Sequence, residues 1–157
     1  MKKGKGVVKN KGVKNKSKIL ASDLDGPIFL LLFFPRPGIR RFLKQLGQQG
    51  FELLVVTARW GWGAKAARLA LDFWDIEYLA LVSNTANHQK PEELERWPET
   101  AFLETDPAKA RELAREGVAH IFLLRKRKVD NLPPQVEQVK NLRKLYGRLV
   151  ELAEGKT

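Results

Sequence analysis

A short apolar run that ends abruptly in two carboxylates constrains the fold of this chain more than any other feature. Residues 18–22 lead directly into Asp23 and Asp25, which Gly26-Pro27 follows. As a buried strand, this run places both acids at the carboxyl end of a sheet, where ligands bind in open α/β folds. Side chains alternate along a strand, so the two carboxylates are expected on the same side, which favours a bound cation or one protonated acid. A strand that simply runs into an acidic turn is the alternative, since Asp-Gly is a strong turn signal.

Apolar strands alternate with amphipathic helices along the rest of the chain. Further strands are predicted at residues 51–57, 78–82, 100–103 and 120–124, and helices at residues 39–49, 64–74, 91–97, 108–116 and 135–154. Residues 28–34 predict a short apolar hairpin or loop, for which core packing or a subunit contact are the alternatives. This alternation predicts an α/β fold with a five-stranded parallel sheet and helices on both faces. The first, second and fourth strands end in groups that can bind phosphate or metal, and these ends meet at one edge of the sheet.

The positive charge of the chain is concentrated at its N-terminus. The 157 residues carry a formal net charge of +11, and residues 1–18 contain eight lysines and no acid. Residues 1–17 are too poor in apolar side chains to fold alone, so a disordered basic tail is expected before a single domain at residues 18–157. Such a tail binds phosphate backbones or acidic surfaces, or else it is a solubilising segment or the product of a start codon placed too far upstream.

Composition excludes several classes of site. The chain has no cysteine, which rules out a disulfide framework, a thiolate metal site and a cysteine nucleophile. No apolar run approaches the roughly 20 residues that a membrane helix needs, and no signal-peptide pattern follows the basic N-terminus. We therefore expect a cytoplasmic protein with no membrane partner.

Four segments, in this order, resemble the signatures of the haloacid dehalogenase (HAD)-like phosphatases. They are Asp23-Leu24-Asp25-Gly26 after an apolar strand, Thr57 at the end of the second strand, Lys90, and the acidic segment Glu104-Thr105-Asp106-Pro107. The resemblance spans about residues 18–131 and implies a three-layer Rossmann-like HAD fold. Within the superfamily, Pro37-Gly38, Thr57-Ala58-Arg59 and residues 121–124 are most similar to the 5′(3′)-deoxyribonucleotidase-like branch.

The same resemblance implies a capless member, because no segment is long enough to hold a cap domain at the usual insertion sites. An open site of this kind suits a large substrate, or closure by a neighbouring subunit in a homo-oligomer. The implied activity is that of a Mg²⁺-dependent phosphomonoesterase acting on a nucleotide or a related phosphate ester.

Family membership also implies a role for each signature residue. Asp23 is the nucleophile that forms an aspartyl-phosphate, and Asp25 is the general acid and base. The metal ligands are the Asp23 carboxylate, the Asp25 backbone carbonyl and an acid from the fourth strand, either Glu104 or Asp106. Thr57 and Lys90 bind the transferring phosphoryl group, and Arg59 either contacts substrate or braces its loop.

The fourth signature departs from the family pattern. Two adjacent acids are usual there, whereas Thr105 follows Glu104 and Asp106 comes one residue late. Asp106-Pro107 is also an ordinary helix start. A degenerate scaffold that binds phosphorylated or nucleic-acid ligands is therefore one alternative function.

A nucleic-acid end phosphatase is a second alternative, since the open site and the basic tail suit it. A protein phosphatase is disfavoured, because Gly26 stands where that branch typically has threonine. Trp60 and Trp62 either stack on a base or, as the more ordinary interpretation, pack in the core or a lid.

Overall fold

A computed structural model describes residues 18–83 and 101–155 of the chain. In chain order its elements are β1 (Lys18–Asp23), β2 (Phe29–Leu31), β3 (Phe34–Pro35), α1 (Ile39–Gln48), β4 (Phe51–Val56), α2 (Gly61–Phe73), β5 (Ala80–Val82), β6 (Ala101–Glu104), α3 (Pro107–Arg115), β7 (Ile121–Leu124), β8 (Val136–Val139) and α4 (Leu142–Ala153). The basic tail, Lys90 and the helix predicted at residues 91–97 lie outside the described residues.

The main sheet confirms the predicted α/β architecture and places β1 at its centre. Six strands pair in the order β5-β4-β1-β6-β7-β8, and every pairing between them is parallel. Among the described helices, α1, α2 and α4 cover one face of the sheet and α3 covers the other. From β1 the chain first adds β4 and β5 on one side of the sheet, and then adds β6, β7 and β8 on the other side. The carboxyl end of β1 therefore lies at a topological switch point, where such sheets bind ligands.

The predicted helix at residues 135–154 is wrong over its first part, which forms the sixth strand. Val136 and Val139 are spaced like residues on one face of a helix, yet in β8 they lie on opposite faces of the sheet and each joins a different apolar cluster. An edge strand in a sheet that is covered on both faces needs an apolar side chain on each face. Val136 supplies one and Val139 supplies the other. The helix begins only at Leu142, where the Asn141 side chain accepts a hydrogen bond from the Lys144 amide over 2.9 Å.

Strands β2 and β3 form the predicted hairpin, which stands out beside α2. Its base is buried through Ile28 and Phe29, while the side chains farther along it are exposed: Leu30, Leu31, Leu32 and Phe34. Core packing is therefore correct for the base of the segment and for the half-buried Phe33, which packs against the same apolar cluster. The indole of Trp74 fastens the hairpin to the end of α2 by donating to the Phe33 carbonyl over 2.8 Å. Within the described residues, no helix has the length and apolar character needed to cross a membrane.

Candidate active site

Asp23 and Glu104 are brought together at the carboxyl ends of two adjacent strands. Each is the last residue of its strand, and the neighbouring pair Ser22 and Leu103 is in register between β1 and β6. Both acids are nearly inaccessible, at 4% and 1% exposure. Strand alternation directs both side chains toward the face that α3 covers, because Ala21 and Phe102 pack in the cluster on that face. The structure therefore sets two buried carboxylates side by side at the switch point.

The two candidate acids of the fourth signature have different surroundings. The Oε1 atom of Glu104 accepts hydrogen bonds from the amides of Thr105 and Asp106, over 2.9 and 3.1 Å. Asp106 is exposed, and its Oδ1 atom accepts from the Ala108 amide over 2.9 Å, which caps α3. The interpretation of Asp106-Pro107 as a helix start is thus confirmed, and Glu104 is the acid that lies beside Asp23.

Lys109 is a residue of this cluster that the sequence analysis missed. Its Nζ atom lies 3.7 Å from Asp23 Oδ2. Burial lowers the pKa of Lys109, but the negative charges of Asp23, Glu104, Asp106 and Asp25 together raise the pKa above its ordinary value. Side chains in the first turn of a helix point back toward its N-terminus, which here is the edge of the sheet. The position of Lys109 in the first turn of a predicted helix was therefore the feature of the sequence that could have identified it.

Asp25 does not share the position of Asp23, because β1 ends at Asp23 and the strand alternation stops there. Its carboxylate is exposed and is bound at both oxygens by Arg59, through Nε over 3.0 Å and through a second, shorter hydrogen bond. Arg59 also donates to the Leu32 carbonyl over 2.9 Å, and its guanidinium lies 5.3 Å from the centre of the Phe33 ring. Arg59 therefore connects Asp25 to the hairpin.

The turn that carries Asp25 packs tightly against the segment that follows β6. Gly26 has a φ of +108°, and a Cβ atom built on it would lie 2.2 Å from Thr105 Oγ1. Arg36 donates to the Gly26 carbonyl through Nε and a terminal nitrogen, over 3.1 and 2.9 Å. The Asp-Gly sequence does form a turn, as its alternative interpretation held, and this turn is braced from two sides within the site.

Thr57 lies at the end of β4 and is almost fully buried. Its Oγ1 atom accepts a hydrogen bond from the Arg59 amide over 3.2 Å, so it shapes the loop that carries Arg59. Trp60 and Trp62, at the start of α2, are 71% and 81% exposed. The expectation that they pack in the core is therefore wrong, whereas a place in a lid stays a prediction.

The oxygen donors of the cluster are chemically suited to Mg²⁺. Magnesium prefers hard oxygen ligands and is commonly held by one or two carboxylates with water completing its octahedron. Asp23 and Glu104 are two such carboxylates, although no group of three or more acids or histidines forms a metal cluster within residues 18–83 and 101–155. The donor set fits the ion, and an ammonium group shares the same cluster.

No protein-family model matches the chain, and no curated protein matches it in sequence. Solved structures do resemble it. D,D-heptose 1,7-bisphosphate phosphatase from Burkholderia thailandensis is 17% identical, with a TM-score of 0.65 over 85% of this chain and 99% of that one. The same enzyme from B. bronchiseptica, complexed with magnesium and phosphate, is 12% identical, with a TM-score of 0.63 over 86% and 99%.

A third similar structure is the cobalt-bound form of deoxy-D-mannose-octulosonate 8-phosphate phosphatase from Haemophilus influenzae. It is 13% identical, with a TM-score of 0.58 over 90% of this chain and 91% of that one. Likeness at these identities defines the fold, so the chain has the fold of the HAD-like phosphatases. The more specific similarity to the nucleotidase-like branch stays a prediction.

Proposed function

We propose that this protein is a Mg²⁺-dependent phosphomonoesterase in which Asp23 attacks phosphorus. The observation that supports this most strongly is the placement of a buried carboxylate at the end of the central strand, next to Glu104 and within reach of Lys109. A nucleophile held there faces the switch point of a HAD-like fold, and the positive charge of Lys109 lies 3.7 Å from its carboxylate.

In the proposed reaction, an Oδ atom of Asp23 bonds to phosphorus while the bond from phosphorus to the ester oxygen breaks. The leaving oxygen takes a proton from Asp25, and an aspartyl-phosphate remains. Asp25 then accepts a proton from the water that attacks phosphorus, and the bond to Asp23 breaks to release phosphate. Asp23, the Asp25 carbonyl and Glu104 would hold the Mg²⁺, with Asp106 as the alternative to Glu104. When bound, the ion neutralises charge on the phosphate oxygens.

Arg59 is proposed to bind the phosphate of the substrate and to release Asp25 as it does so. In the structure its N–H groups occupy both oxygens of Asp25, so neither oxygen is open to deliver a proton. Guanidinium groups bind phosphate in the same bidentate way. A phosphate ester that competes for Arg59 would therefore free the exposed carboxylate of Asp25, which could then take up a proton from solvent and donate it to the leaving oxygen. Thr57 and Lys90 complete the proposed phosphoryl site, Lys90 from outside the described residues.

The proposed substrate is a nucleotide or a related phosphate ester. Exposed Trp60 and Trp62 follow Arg59 closely in sequence, and aromatic rings can stack on bases. Sugar phosphates are the rival class, because they are named as substrates of the similar enzymes. We also propose that the domain is capless and open and that it works in the cytoplasm. In a homo-oligomer, a neighbouring subunit would close the site.

Hydrolysis of an aryl phosphate by the full chain, with Mg²⁺ and then with excess EDTA, tests the proposal. We expect turnover that requires the metal, followed by a preference within a panel of nucleoside monophosphates and sugar phosphates. Preference for the sugar phosphates would remove the nucleotide part of the proposal. Lack of Mg²⁺-dependent turnover on every ester would leave the degenerate binding scaffold as the function.

Exchanging the two candidate metal ligands separately should distinguish them. We expect Glu104→Gln, which keeps the oxygen that accepts the two amides, to raise the Mg²⁺ concentration for half-maximal turnover by about tenfold or more. Asp106→Asn retains an efficient helix cap and should change this value less than about twofold. The measurement is a Mg²⁺ titration of the initial rate, and the reverse order would assign the ligand to Asp106.

The lysine-rich tail favours a second candidate, a phosphatase of nucleic-acid ends. Residues 1–17 carry seven lysines, enough to make DNA binding steeply dependent on salt. We expect deletion of these residues to flatten the plot of log affinity against log salt for a 5′-phosphorylated oligonucleotide, with the rate on small esters unchanged. Equal slopes for the full chain and the truncated chain would leave the tail as a solubilising segment.

A further inference from the structure

The ammonium of Lys109 occupies a place where a cation balances the acidic cluster. It approaches Asp23 to 3.7 Å, and its charge interacts with Glu104, Asp106 and Asp25 as well. The side chain of Asp23 is 5% exposed, whereas that of Lys109 is 39% exposed. A lysine in this position is anchored on α3 but keeps a path to solvent.

The positive charge of Lys109 has one effect on the carboxylates when no metal is bound and an opposing effect on a metal ion that enters the cluster. Close carboxylates repel one another, and an ammonium beside them lowers that repulsion when no metal is bound. A dication entering the same cluster meets the field of the ammonium over a few ångströms in a poorly solvated site, where such repulsion is strong. Binding of the metal then requires Lys109 to give up its contact with Asp23 and to swing toward solvent.

We propose that Lys109 is a tethered counter-ion of the carboxylate cluster, which holds Asp23 and Glu104 in place without metal and competes with Mg²⁺ for them. The inference rests on the magnesium site of the proposed function, but it concerns binding of the ion and not turnover. On this proposal, the Lys109 side chain on α3 lowers the affinity of the protein for Mg²⁺.

Direct titration of the metal into the full chain tests the proposal without substrate. After treatment with EDTA and its removal, Mg²⁺ binding is measured by isothermal titration calorimetry at constant ionic strength, for wild type and Lys109→Met. Thermal unfolding is followed for both proteins with and without Mg²⁺. Lys144→Met is the matched control, since it removes the same charge from an exposed site on α4, on the opposite face of the sheet.

We expect Lys109→Met to bind Mg²⁺ about tenfold more tightly than wild type or more, because the competing charge is gone. Without metal its unfolding temperature should fall below that of Lys144→Met, and saturating Mg²⁺ should narrow this difference. Lys109→Arg keeps the charge and should stay within about threefold of the wild-type affinity. Lys109→Glu, which adds a carboxylate, should bind at least as tightly as Lys109→Met.

Equal or weaker Mg²⁺ binding by Lys109→Met would overturn the proposal and would indicate that Lys109 serves the phosphate instead. Absence of Mg²⁺ binding in wild type and all variants would overturn it as well. If Lys109→Met is unfolded without metal, Lys109→Gln is titrated in its place, and a variant that stays unfolded in saturating Mg²⁺ also counts against the proposal. Tighter Mg²⁺ binding by Lys109→Met than by wild type, in a protein that hydrolyses no ester, would refute the phosphatase function while supporting the role of Lys109.

Discussion

Replacing Asp23 by asparagine is expected to abolish hydrolysis of phosphate esters, with kcat reduced by at least about a thousandfold. An amide has nearly the shape of the carboxylate but cannot form the acyl-phosphate bond, so the chemical step itself is lost. The protein should remain folded, since the exchange removes one negative charge from a crowded cluster of acids. Steady-state kinetics with an aryl phosphate and Mg²⁺ measure the effect, and circular dichroism checks the fold.

The matched variant for this experiment is Asp25→Asn, which keeps the nucleophile. With labelled substrate and an acid quench, Asp25→Asn should accumulate phosphate bound to the protein, whereas Asp23→Asn should carry none. Turnover by Asp23→Asn near the wild-type rate would contradict the assignment of Asp23. Labelling of Asp23→Asn would show that another side chain accepts the phosphoryl group.

Replacing Gly26 by alanine is expected to distort the turn after β1 and to destabilise the protein. The backbone conformation at φ +108° is strained for alanine, by about 1–3 kcal/mol. The new methyl group would also lie 2.2 Å from Thr105 Oγ1, and overpacking of this kind costs roughly 1–3 kcal/mol. Because this turn carries Asp25, activity should fall by about tenfold or more. Urea unfolding and initial rates measure the two effects.

A second substitution separates the two causes of that loss. Thr105→Ala removes the nearest atom, and the next Thr105 atom lies 3.4 Å from the added carbon. The Gly26→Ala, Thr105→Ala double variant should therefore regain part of the stability but not all of it, because the backbone strain remains. Gly47→Ala in α1 is the control, since nothing lies within 4 Å and its helical position favours alanine. A Gly26→Ala variant as stable as wild type would contradict the close packing of this turn.

Much of the fold could be predicted because apolar periodicity reports burial directly. Alternating strands and helices predicted the parallel sheet and its helix-covered faces, whereas the central place of β1 became known only from the structure. The sixth strand was missed because the spacing of Val136 and Val139 fits one face of a helix as well as the two opposite faces of a strand. Only the tertiary neighbours on each face of β8 distinguish these two structures. The secondary-structure propensity of a segment contains no information about which other elements pack on each of its faces.

The positions of candidate site residues could be predicted for those that end a strand or directly follow one, and less well for the others. Asp23, Thr57 and Glu104 each end a strand or directly follow one, and the parallel sheet collects such positions at one edge. The different surroundings of Glu104 and Asp106 could not be predicted, because the helix cap made by Asp106 becomes visible only in the hydrogen bonds. Lys109 was missed because lysines are common on helices, and its approach to Asp23 depends on where α3 lies against the sheet.

The contrast between the tightly packed turn at Gly26 and the exposed side chains of Leu32, Trp60 and Trp62 indicates where an altered substrate range is best engineered. Leu32, Trp60 and Trp62 are well exposed, so substitutions there should cost little stability. Any side chain at Gly26 meets Thr105 and a strained backbone, so random mutagenesis at that position would yield mainly destabilised variants. A combinatorial library confined to these three positions would therefore vary the exposed surface while leaving Asp23, Glu104 and the turn after β1 unchanged.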